Sequence, residues 1–231
     1  MASLIDSVRT IINGSHPFVK VTALSILVFI VTQTITVGKL SEASALTLGI
    51  VCALILFGYY LETIHNSIND NLIILPKPHN IIKHLWIGVN GVISLFPYIA
   101  ILYYGMQFVN PFLSFQPWIN IVIQIIVFAL LFSFFSVGML LFCKDFNPIA
   151  GYKIGEVLKY AGDFVVCNLI LLLSLALLIG VVFVPIGIGM HLMFDYGLVF
   201  DFYVIYSIIF ILLFVCQYYS QLHFEYIDLD K

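Results

Sequence analysis

Glu62, His65 and Asp163 are the acids and the imidazole best placed for acid–base chemistry in this chain. Each lies near the end of an apolar run, and the order of those runs brings all three to one face of a membrane. A carboxylate and an imidazole within reach of one another can move a proton during a reaction. The same residues also suit interfacial anchoring, because ionisable groups are costly at mid-bilayer and tolerated at span ends. A second set is uncharged. Gln33, Gln124 and Asn168 sit within apolar runs, and Pro185 stands with Gly180, Gly187 and Gly189 at the end of another. Amides in a membrane helix bond across to a neighbouring helix. Aligned instead along a cleft, with a gate at Pro185, they would line a polar pathway.

The remaining motifs are weaker. Ser133 and Ser136 lie among phenylalanines, with no His or Lys nearby in sequence to activate them. Thr32, Thr34 and Thr36 are expected to bond back to the preceding turn. His79 and His84 are five apart, a poor spacing for one helical face, and His191 with Asp195 forms an isolated H-x-x-x-D. Asp228 and Asp230 read as a solvated tail. There is no H-E-x-x-H, Walker loop or G-x-S-x-G. Cys52, Cys143, Cys167 and Cys216 show neither paired nor metal-ligand spacing and read as small hydrophobes. No cofactor or metal is expected.

The elements that must position these residues are apolar helices. The 231 residues are 62% hydrophobic and 9% charged, against roughly a quarter charged in soluble domains. So few charges cannot cover a water-facing surface, so lipid is the solvent. A net charge of −3 with no basic stripe excludes nucleic acid as a partner. Spans are expected at 21–37, 45–61, 87–106, 118–142, 164–184 and 202–219. They must be helical, because backbone polar groups in hydrocarbon need partners inside the segment. Residues 1–20 do not read as a signal peptide.

Of nine Lys and Arg residues, Arg9, Lys20, Lys77, Lys83, Lys144, Lys153, Lys159 and Lys231 fall on one side of six spans, and Lys39 on the other. The positive-inside rule then predicts a bacterial inner-membrane protein with both ends cytosolic. Residues 107–117, uncharged with three Phe, should form an apolar outer lip.

Three segments, 2–13, 78–88 and 148–162, have an apolar helical face and are too short or polar to span. They predict cytosolic amphipathic helices, with Pro78 and Pro148 in first turns. Gly14, Gly88 and Gly162, 74 residues apart, would close them. This suggests a single domain, 1–231, built of three repeats (1–74, 75–147 and 148–231), each an interfacial helix followed by a helical hairpin.

The opening LIDSVRTIINGSHPFVK, Gly58-Tyr59, Leu75-Pro76 and the small residues of 88–91 resemble an uncharacterised six-span family of bacteria and archaea. That family is distantly similar to the membrane domain found beside some glycerophosphodiester phosphodiesterases. The resemblance implies a six-span fold; no catalytic residues are established for that family, so none carry over, and the phosphodiesterase's soluble barrel is absent here, so its activity is not implied. The loop departs from the family pattern after Leu-Pro, reading Lys77-Pro78-His79-Asn80.

The expectation is an all-α, polytopic membrane helix bundle in a lipid bilayer. It would act without catalysis as an accessory or scaffold subunit, bound to another membrane protein or to a second copy. The alternatives are a transporter or lipid-handling protein using Gln33, Gln124, Asn168 and Pro185, and a membrane enzyme using Glu62, His65 and Asp163.

Overall fold

The computed structural model describes residues 17–38, 40–69, 75–109, 111, 116–194 and 197–227. Among them the chain forms α1 (Pro17–Val37), α2 (Glu42–Ile68), α3 (Ile81–Val109), α4 (Pro117–Asp145), α5 (Ile154–Leu178), α6 (Val184–Phe194) and α7 (Leu198–Leu222). A 3-10 turn, Ala150–Tyr152, precedes α5. Two π segments, Ile179–Phe183 and His223–Ile227, join α5 to α6 and extend α7. Six helical stretches are long and apolar enough to cross a membrane, with α5, its π segment and most of α6 acting as one of 39 residues. The protein is a multi-pass membrane helix bundle.

The central helix, α2, packs against α1, α3, α4 and α7, while α5 packs on α4. The buried side chains are not spread along the spans. They run to Ser25 in α1, from Cys52 in α2, to Tyr98 in α3, from Ala129 in α4, to Leu171 in α5 and from Ser207 in α7. Because successive spans alternate in direction, these stretches share one half of the bundle. The other half is splayed, with Ile30, Leu46, Tyr104, Ile121, Leu177 and Val199 all exposed.

Chemistry accounts for the division. Lipid tails are as apolar as leucine, so membrane helices associate through close approach at small residues and through hydrogen bonds. Gly58, Gly88, Gly91, Gly138 and Gly151 each meet a neighbouring segment within the packed half. At the α2–α3 crossing a Cβ on Gly58 would run into the His84 carbonyl, and one on Gly88 into the Leu54 carbonyl. Across α4, α5 and α7, Tyr219 donates to Asn168 Oδ1 (2.7 Å), Ser136 donates to the Tyr219 hydroxyl (3.1 Å) and Tyr218 donates to the Cys167 carbonyl (3.1 Å).

Several local expectations change. The amphipathic segments 78–88 and 148–162 are not free-standing helices, because 81–88 opens α3 and 154–162 opens α5. Pro78 and Pro148 occupy turns ahead of those helices. Gly88 and Gly162 lie inside helices and do not end them. Segment 2–13, Gly14 and residues 110 and 112–115 of the lip lie outside the described residues. Pro185 does not end its span either. Lacking an N–H, it breaks the i→i−4 ladder. One residue earlier the Val184 N–H reaches back five residues to Ile179, and this wider turn absorbs the defect.

Candidate functional site

A polar cluster sits where α2 ends and α3 begins, in the packed half. The Lys83 ammonium lies 2.6 Å from Glu62 Oε1, and His84 Nδ1 lies 3.0 Å from Oε2. Glu62 and His84 are buried, with side chains 8% and 1% exposed, whereas Lys83 is 57% exposed. The close Gly58–Gly88 crossing one turn away brings the carboxylate within reach of Lys83 and His84.

The connection 75–80 is tied to the same corner. His84 Nε2 contacts the Lys77 carbonyl (3.1 Å), the Tyr59 hydroxyl donates to the Pro76 carbonyl (3.4 Å), and Lys20 donates to the Leu75 carbonyl (2.7 Å). The Tyr59 and His84 rings meet edge to face, 5.3 Å between centroids. Backbone carbonyls that leave a helix near lipid need donors, and here α1, α2 and α3 each supply one. His84 thus presents Nε2 to a backbone carbonyl and Nδ1 to the Glu62 carboxylate.

Of the trio Glu62, His65 and Asp163, the first two diverge. His65 turns to α4, where its Nδ1 lies 2.7 Å from the Cys143 carbonyl and its ring stacks on Phe146 at 4.3 Å. Asp163 is exposed on α5. His84, set aside for its spacing from His79, is the residue that completes the cluster. The signal in the sequence was the pair Lys83-His84 within the amphipathic stretch 78–88, read against Glu62 in the preceding span.

The four pathway residues occupy separate environments. Gln33 donates to Asp201 Oδ2 (3.4 Å) at the α1–α7 contact in the splayed half. Gln124 is half-buried on the splayed part of α4. Asn168 is buried in the packed half, donating to the Ala129 carbonyl (3.4 Å) and accepting from Tyr219. Pro185 is exposed on α6. Ser133, Thr32, Thr34 and Thr36 bond back to their own helices. All four cysteines are free and buried. Asp195, Asp228 and Asp230 lie outside the described residues.

A separate apolar groove of about 500 Å³ runs between α6 and α7. Ile179, Phe183, Ile188, Phe200, Val204 and Ile208 line it, and Tyr203 closes one side by donating to the Phe183 carbonyl (2.7 Å). Among the described residues no group of three or more His, Cys, Asp or Glu side chains could hold a metal. No family model, curated protein or solved structure matches the chain.

Proposed function

We propose that the protein is a non-catalytic subunit of a bacterial inner-membrane assembly, with its packed, charged end in the cytosol. The observation that carries this reading is the split bundle. Six apolar helices whose buried side chains concentrate in one half offer membrane-embedded surfaces in the other half to another span, from a partner or from a second copy. The non-catalytic reading draws support from the engagement of the acid–base groups: Glu62 is held by Lys83 and His84, and His65 by Cys143 and Phe146. The orientation draws support from Lys20, Lys77, Lys83, Lys144, Lys153 and Lys159 sharing one end.

Photo-crosslinking in the native membrane tests the reading. A benzophenone side chain at Ile121 or Tyr104, exposed in the splayed half, should give one stoichiometric protein adduct. The same group at Val166, exposed beside the packed half, should not. Adducts with lipid alone at Ile121 and Tyr104 would overturn it. For orientation, a cysteine at position 39 should react with an impermeant reagent on intact cells; reaction only after lysis would reverse the topology.

The groove between α6 and α7 favours a second reading, lipid handling. Its volume falls within the range of small-molecule sites, and its lining is mostly apolar.

A further inference from the structure

The groove between α6 and α7 runs lengthwise with the spans. On α7 its wall repeats at Phe200, Tyr203, Val204, Ser207, Ile208 and Ile211. That is one helical face from 200 to 211, about 17 Å of rise. One leaflet of a hydrocarbon core of about 30 Å is about 15 Å deep. The groove is therefore as long as one leaflet, half of what a spanning helix would need.

Its depth is fixed from α1. That helix has 21 residues, about 32 Å of rise, which matches the whole core. Its two ends therefore lie at the edges of the core. Gln33, one turn before Val37, donates to Asp201, the neighbour of Phe200. The Phe200 end of the groove is thus about one turn inside the edge of the core on the splayed side, and the Ile211 end reaches the midplane. Beyond Ile211 the packed half begins, where Tyr218 and Tyr219 bond across to Cys167 and Asn168.

Polarity follows the same axis. Ile179, Val184, Ile188, Val204 and Ile208 line the groove and are exposed, so it opens to lipid along its length. The Tyr203 and Ser207 hydroxyls donate to the Phe183 and Tyr203 carbonyls. The imidazole of His191 lies at the end near the edge of the core, edge to face with Phe200 at 6.1 Å.

We propose that the groove seats one acyl chain of a phospholipid from the leaflet on the splayed side. The chain end points to Ile179 and Ile211, and the ester end to His191 and Phe200. A tail in this register packs apolar surface on both walls and displaces no hydrogen bond. A partner helix, which crosses the whole core, would meet the groove over only half its length. The site rests on the lipid-handling reading of the groove and is independent of the subunit role.

The test uses the full chain in phosphatidylcholine nanodiscs doped with one of two photoreactive phosphatidylcholines, with adducts mapped by mass spectrometry. One carries a diazirine at the tail end, the other beside the ester. The first should label Ile179, Ile208 and Ile211, and the second His191 and Phe200. Both should label these residues in excess over Ile121 and Ile126, which are exposed on the splayed part of α4. Val204→Trp, which fills the groove from an exposed position, should abolish the excess, and Ile188→Trp should do so from the facing wall. Ile126→Trp should leave it unchanged. Labelling of the groove no stronger than that of α4, the same residues labelled by both probes, or an excess that survives both filling variants overturns the proposal. Protection of the groove from both probes in discs holding two copies would assign it to a second copy and also overturn it. A chase with unlabelled lipid before irradiation separates the site from lipid handling. An excess that survives the chase upholds the site and removes handling, whereas an excess erased by the chase supports both.

Discussion

At the scale of single residues, burial decides what each partner of Glu62 is worth. Removing one member of a buried pair leaves the other desolvated without compensation, at a cost of about 3 kcal/mol. An exposed partner contributes less than about 1 kcal/mol. Glu62→Ala should therefore destabilise the protein by about 3 kcal/mol, and Lys83→Ala by less than about 1 kcal/mol, since Lys83 is 57% exposed and Glu62 8%. Denaturant unfolding in mixed micelles, followed by circular dichroism, measures both; equal losses would mean that Lys83 dominates the cluster. Tyr219→Phe deletes the hydrogen bond to Asn168 and should cost about 0.6 kcal/mol, the mean for membrane interhelical hydrogen bonds. Glu62 was legible in the sequence as a polar group at a span end. Its partners were not, because His65 lies three residues away in the chain yet faces a different helix.

At the scale of elements, glycines of one type do opposite things. Gly58 and Gly88 let α2 and α3 touch backbone to backbone, while a Cβ on Gly162 meets nothing within 4 Å. Gly88→Ala should cost about 3 kcal/mol, at the upper end for overpacking, because the obstructing atom is backbone and cannot rotate away. Gly162→Ala should stabilise α5 by about 0.5–1 kcal/mol through helix propensity. The same unfolding assay reads both, and a like sign for the two would remove the crossing from the account. Their 74-residue spacing hinted at a common role, but spacing carries no information on which helix faces which. The π segment before Pro185 was hidden for a related reason: proline marks where the ladder breaks, and the surrounding helix determines whether it stops or widens.

For the whole molecule, the split between packed and splayed halves predicts a gradient of local stability. Amide exchange in detergent should be slow at 52–68 of α2 and 81–98 of α3, and faster at 42–51 and 99–109 of the same helices, because buried contacts set the opening free energy. Uniform protection along each helix would show the two halves to be equally held. The six helices could be read from sequence alone, though not where α3 and α5 begin or that the fifth span runs on past Pro185, since span length and the need to satisfy backbone groups inside the segment are properties of a single stretch of chain. Tertiary structure alone decided which half of the bundle closes, that His84 and not His65 meets Glu62, and that Gly88 is a crossing and not a cap. An apolar residue reads the same whether it faces lipid or protein, so one-dimensional pattern sets where a helix spans and only three-dimensional contact sets what it touches.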